Sequence, residues 1–184
     1  MRQLKSDDSG FTGLEAAIVL IAFVVVAAVF SYVVLGAGFF TTQKSQETVY
    51  KGVEQASTNI QMIGNVYGLA TVPSSGIDDV RFSIGLAPGA PTIDLTGMRI
   101  VFSTGSTTPV TYTYDVAEKP TGTKFSSSCG GAMVQNAQCQ IDFVVSPKVG
   151  VNTKMTMEIR PSVGASLPFS KTTPPTITKT NVLY

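Results

Sequence analysis

The hydrophobic pattern changes period along the chain. From Ala16 to Phe40 the residues AAIVLIAFVVVAAVFSYVVLGAGFF carry no charge, and only Ser31 and Tyr32 offer polar side-chain atoms. As a helix rising 1.5 Å per residue, about 20 apolar residues cross the hydrocarbon layer of a bilayer. This run is long enough to cross it with some tilt. Beyond it, Val49, Val53, Ala56, Ile60, Ile63 and Tyr67 recur in alternating steps of four and three, separated mostly by polar residues. That spacing marks one face of a helix. The two patterns together predict a single long helix over residues 11–68, roughly 80 Å from Phe11 to Ile63. Gly36, Gly38 and Gly52 are places where it can bend or be approached closely.

Residues 69–76, LATVPSSG, read as a hinge, and beyond them the period drops to two. Val80-Phe82-Ile84-Leu86 alternate with polar or small residues. So do Met98-Ile100-Phe102, Val110-Tyr112-Tyr114-Val116, Ile141-Phe143-Val145 and Met155-Met157-Ile159. Gly-, Pro- and Ser-rich turn clusters separate them. The expected fold class is therefore α+β, a long N-terminal hydrophobic helix followed by an antiparallel immunoglobulin-like β-sandwich over residues 77–184. The roughly 115 residues outside the helix are enough for one compact core.

A polar leader, MRQLKSDDSG, precedes the apolar run. A secretory signal would place its small-residue cleavage site after the apolar stretch, and both would be lost. Here the small residue, Gly10, comes first. A cut between Gly10 and Phe11 removes residues 1–10 and retains the helix. Arg2 and Lys5 in the leader favour placing it on the cytoplasmic side, with residues beyond Phe40 outside.

Glu15 is the only charge between Asp8 and Lys44. One reading is structural: an acid near a helix N-terminus gains about 0.3–1 kcal/mol from the macrodipole, with Thr12 as N-cap and Glu15 completing a capping box. The other is that Glu15 awaits a positive partner, which the new amino group of Phe11 would supply, in the same subunit or a neighbour. Burying either group alone is costly, so pairing would favour one register of assembly.

Gly10-Phe11-Thr12-Gly13-Leu14-Glu15 followed by AAIVLIAFVVVAAVF resembles the N-terminus of archaeal flagellins (archaellins), which are similar to type IV pilins. GIDDVRFSIGLAPGAPTIDLTGMRI and MTMEIRPSVGASLPFSKTTPPTITKTNVLY resemble the start and end of that family's outer domain. The resemblance implies a class III signal peptide cut after Gly10 by a prepilin/preflagellin peptidase. It also implies a helix that first anchors the precursor in the membrane and then packs into the filament core, with Glu15 at the assembly position. The implied partners are copies of the same chain, the peptidase, and a membrane export and motor platform. Many members carry basic residues just before the cleavage glycine, whereas this chain has Asp8-Ser9.

Composition narrows the function. With 13 basic and 12 acidic side chains the net charge is +1, so no basic footprint points to nucleic acid. Charged residues make up 14% of the chain, which suits an extracellular or packed structural protein, and the lack of His removes the commonest general base and metal ligand. There is no phosphate loop, no nucleophile elbow and no Asn-x-Ser/Thr sequon. No cofactor is expected and no metal ligand is assigned; Asp78, Asp79 and Asp94 could contribute to a cation site in the folded head, although loop acids are usually solvated. Cys129 and Cys139 lack partner ligands for zinc. Outside the cell an even pair favours a disulfide, the alternative being two buried thiols.

Three readings follow: a non-enzymatic structural subunit of an archaellum filament for swimming motility, an adhesion pilin using the same helix, or a membrane-anchored enzyme or binding protein. The long helix and the archaellin-like head favour the first, and the missing catalytic constellation disfavours the third.

Overall fold

A computed structural model describes residues 8–117 and 121–184, with side chains from Gly13 onward in the helix; most of the leader, the Phe11 side chain and the Thr12 side chain lie outside the described residues. Helix α1 runs Asp8–Ser57, 50 residues, or about 75 Å. Eleven strands follow among the described residues: β1 Ile60–Leu69, β2 Ile77–Leu86, β3 Ile93–Asp94, β4 Arg99–Thr104, β5 Val110–Tyr114, β6 Lys124–Ser127, β7 Ala132–Met133, β8 Gln138–Val149, β9 Lys154–Arg160, β10 Leu167–Thr172 and β11 Thr180–Leu183. The chain divides at Tyr50/Lys51 into two compact units, most of α1 and a head that includes its last turns.

Both ends of α1 differ from the sequence reading. The helix begins at Asp8, so Thr12 and Glu15 lie inside it and form no capping box. At the other end, the predicted continuation through residue 68 is replaced by β1. The Thr58 amide and hydroxyl both donate to the Glu54 carbonyl, and Thr58 is buried under Gly164. Gly164 has φ +104°, and a Cβ there would strike the Thr58 carbonyl oxygen, so only glycine fits.

The misreading has a physical cause. In β1 three residues, Gly64, Asn65 and Val66, stand opposite the single Phe82 of β2. This bulge, with Gly64 at φ +76°, interrupts the alternation. Inward positions fall at Ile60, Met62, Val66 and Gly68, while Ile63 and Tyr67 are exposed on the other face; read together with Ile60, those two outward apolar residues supply the helical steps of three and four. The expected hinge at residues 69–76 joins β1 to β2 and lies within the head. It is pinned there by Asp78, whose carboxylate oxygens each accept from the Thr71 amide at 3.1 Å, and by Lys148, whose Nζ lies 3.4 Å from Asp78 and donates to the Ser75 hydroxyl.

The head is one nine-stranded sheet in the order β10-β9-β4-β5-β6-β8-β2-β1-β11, antiparallel except for β5–β6, with β3 and β7 forming a small second sheet. The large sheet curls over so that its edges meet: the Thr172 and Tyr184 amides each donate to the other's carbonyl. The result is the sandwich-like head expected of the sequence, closed nearly into a barrel. Phe143 packs against Tyr112, Phe102 and Phe82 with ring centroids 4.7, 5.8 and 6.4 Å apart, and Phe82 meets Phe169 of β10 at 5.7 Å. Buried Asn181 holds the closing turn, donating to the Gly68 and Thr178 carbonyls and accepting from the Thr178 amide. Cys129 and Cys139 are joined as a disulfide, their Cα atoms 5.4 Å apart.

Asp79 is the strained charge of the head. Its Oδ1 is buried without a hydrogen-bond partner. Burial and the neighbouring Asp142 carboxylate, which Arg81 engages at 2.6 Å, push its pKa up to about 6 despite the opposing charge of Arg81. Asp78 shifts the other way: burial would raise it, but the bonds from Thr71 and Lys148 outweigh burial and hold it below its ordinary value.

Two predictions follow from the head. Because the folded pKa of Asp79 lies above its unfolded value, its contribution is most favourable below about pH 4 and is lost as pH rises through about 6. Asp79→Asn should therefore raise the melting temperature at pH 7.5 by on the order of 4 °C, and the gain should vanish near pH 4; equal gains at both pH values would contradict the assignment. Reduction of the disulfide, which links residues ten apart, should lower stability by about 2–3 kcal/mol in the chain-entropy model. Calorimetry with and without reductant reads this directly, and an unchanged melting temperature would refute it.

Candidate assembly interface

The residues that dominate the molecule's surface chemistry lie on α1. Every large hydrophobic side chain from Ile18 to Phe40 stands 52–80% exposed. One window of the helix reaches a mean hydropathy of 3.0, long and apolar enough to cross a membrane, with none of it buried. Fully burying each such side chain contributes about 1.5–3 kcal/mol relative to leaving it in water. A helix of this kind is stable only when covered by lipid or by other protein.

Its relief suits packing by other helices. Gly38, lacking a side chain, leaves a shallow groove walled by Phe30, Val34, Leu35 and Phe39. A second groove runs along Val25, Val26, Val29 and Val33. Grooves of this kind accept the side-chain ridge of a neighbouring helix, and small residues let backbones approach closely.

The threonine hydroxyls that follow are already satisfied within the helix. The Thr41, Thr42 and Thr48 hydroxyls donate to the Ala37, Gly38 and Lys44 carbonyls at 2.8–2.9 Å. Cover can therefore extend past Phe40 without stranding these hydroxyls. The first ion pair among the described residues, Lys44 with Glu47 at 2.8 Å, marks where charge returns to the helix surface. Threonine immediately after an all-apolar run is a signal for such back-bonding that the periodicity reading passed over.

The predicted site residues fall in different places. Gly10 and Phe11 lie within the backbone of α1, and Glu15 is exposed on its early turns. Cys129 and Cys139 are remote in sequence from this surface and staple the head. Asp94 accepts from the Thr96 amide and hydroxyl at 2.8 and 2.7 Å and is held below its ordinary pKa by those bonds. Asp78 is engaged by Thr71 and Lys148 as described. Among the described residues no three His, Cys, Asp or Glu side chains group as metal ligands. What the arrangement offers is a long adhesive rod attached to a self-contained head.

Comparison with known proteins gives this arrangement a lineage. The family model for archaeal-type flagellin matches residues 10–171. The chain is 36% identical to probable flagellin 1 of Archaeoglobus fulgidus over 200 residues, covering 100% of this chain and 98% of the relative. It is 38% identical to probable flagellin 2 of the same organism, covering 96% and 95%. Among solved structures, the archaeal flagellum of Methanospirillum hungatei superposes with a TM-score of 0.75 at 35% identity, over 94% of this chain and 99% of that one. The helix with its apolar surface, the closed sheet that follows it in the chain and these end-to-end matches agree: the chain belongs to the archaeal-type flagellin family.

Proposed function

We propose that this chain is a structural, non-enzymatic subunit that polymerises through α1 into an extracellular archaellum filament for swimming motility. The observation that carries the proposal is the bare apolar surface of α1 on a chain whose relatives are flagellins along their whole length. The likeness to the flagellum of Methanospirillum hungatei supports this reading over an adhesion pilin.

The same surface gives the precursor its place in a membrane before assembly. In that state α1 has already left water, so transfer into a filament gains little from dehydration. Side-chain packing and pairing of isolated polar groups supply the difference. The cut between Gly10 and Phe11, made by a prepilin/preflagellin peptidase, would remove the charged leader and create an amino group at Phe11. Glu15, the only charge between Asp8 and Lys44, is the carboxylate available to pair with it, within a subunit or between neighbours. An unpaired charge inside the bundle is costly, so this pair would set the register of packing. A membrane export and motor platform completes the route.

Three outcomes test the reading. Intact-mass analysis of sheared surface filaments should give a chain starting at Phe11, and filaments that retain residues 1–10 would overturn the processing step. Val25→Asp should abolish membrane insertion or filament formation, since a carboxylate there costs several kcal/mol in lipid or in a helix bundle; normal filament yield would rule out a helix core. Glu15→Gln should be milder, giving processed, membrane-bound subunits that assemble slowly, whereas a change at exposed Thr111 should leave yield unaltered. Yield is read by electron microscopy and blotting of the sheared fraction.

A further inference from the structure

The nine-stranded sheet is a ring of two halves. β10-β9-β4-β5 and β8-β2-β1-β11 meet at Thr172 and Tyr184 on one side and across β6 on the other. Each half is laddered within itself, β2 to β8 between Gly85 and Ile77 and β4 to β9 between Arg99 and Thr104. β6 is the short member. Its four residues join β5 at Lys124 and Phe125 and β8 from Phe125 to Ser127, with one further rung between Ser128 and Gln140. The β5–β6 pairing is parallel, which is slightly weaker per residue. The ion pair of Lys124 with Asp115, 3.1 Å apart and open to water, adds little.

The chain after β6 is held as sparingly. β7 pairs with β3 at Ala132 and Met133, and the Gly131 carbonyl accepts from the Leu95 amide at 2.8 Å. Two fully buried side chains, Phe125 and Met133, tie this stretch into the core, Phe125 as the cross-strand partner of Phe143. Short ladders and a small share of the core are the marks of a segment that opens locally. One covalent bond opposes that opening. Cys129, between β6 and β7, is joined to Cys139 of β8, and β8 is itself paired with β2 from Gln138 to Val149. With the bond intact, the middle of residues 124–138 cannot leave β8. Cys139 is buried and Cys129 half-buried, so a thiolate reaches the bond from the Cys129 side.

We propose that residues 124–138 form a redox-latched arm. With Cys129 and Cys139 joined, the arm seals the ring between β5 and β8. With them reduced, it swings out while the two halves of the sheet stay folded and remain joined at Thr172 and Tyr184. The proposal concerns the head alone and holds whether or not the chain polymerises. In the unlatching step a thiolate of a dithiol attacks Cys129 Sγ and expels the Cys139 thiolate, which takes up a proton. The second thiol then displaces Cys129 as its thiol, and the dithiol ends as a cyclic disulfide. The reverse exchange, with a small-molecule disulfide as oxidant, closes the latch, so the head is completed only in oxidising surroundings. Hydrogen exchange of the full chain in detergent, read by mass spectrometry before and after treatment with dithiothreitol, tests this. In the reduced chain the amides of residues 124–138 should exchange at least tenfold faster than in the oxidised chain. They should also run at least tenfold ahead of the β4 and β9 amides in the same reduced sample. The Cys129→Ser/Cys139→Ser double variant should repeat this pattern without reductant; the unaltered chain reduced in place decides the case if that variant does not fold. Arm amides that exchange in step with β4 and β9 would show that the head opens as one unit and would overturn the latch. So would an arm whose protection survives reduction.

Discussion

A 50-residue helix whose large apolar side chains from Ile18 to Phe40 are all more than half exposed sets the terms for the rest of the molecule. Water is not a tolerable surrounding for that surface. At about 25 cal/mol per Å² of apolar area, the penalty for leaving it wet exceeds the few kcal/mol by which a domain is stable. Two surroundings would satisfy it, a bilayer and a bundle of like helices, and in the proposed assembly the helix moves from the first to the second. Because both are apolar, the step turns on shape and on polar groups. In that proposal the recess at Gly38, the self-satisfied threonines beyond Phe40 and the lone acid at Glu15 would bear on the step more directly than hydrophobicity does.

The head answers to a different constraint. It has its own core, centred on Phe143 and the rings around it, and its sheet closes through Thr172 and Tyr184. Closure removes the free edges that would let strands of neighbouring heads pair indiscriminately. A chain proposed to polymerise through α1 benefits from a head with no free strand edge. The disulfide and the pinned loop at Asp78 act in the same direction by limiting local opening.

Much of this was legible in the sequence because strong periodicities are hard to mistake. The charge-free run from Ala16 and the alternation in Val80–Leu86, Ile141–Val145 and Met155–Ile159 reappear as α1, β2, β8 and β9. Where reading failed, a local feature disguised the period. Apolar residues on both faces of β1, inward Ile60 with outward Ile63 and Tyr67, made it look helical, although Gly64 and Gly68 are poor helix residues and argued otherwise. β11 is only four residues long, and β10 carries a proline within Leu167–Thr172, so neither announces itself; both owe their place to closure of the sheet. Asp79 could not have been singled out from Asp78 by sequence. Their opposite behaviour comes from a register shift between Ile77 and Asp79 that sets one carboxylate against Thr71 and the other against Asp142.

The central claim is that α1 is covered by other copies of α1. A reconstruction of native filaments by electron cryomicroscopy at side-chain resolution tests it most directly. The account predicts that side chains from Ile18 to Phe40 lie within about 4.5 Å of apolar side chains on neighbouring subunits along the whole run, the distance that defines hydrophobic contact. It also predicts that Glu15 lies beside an amino group rather than in bulk water. Filaments in which the heads make all the contacts, while α1 faces an open lumen or solvent, would contradict it.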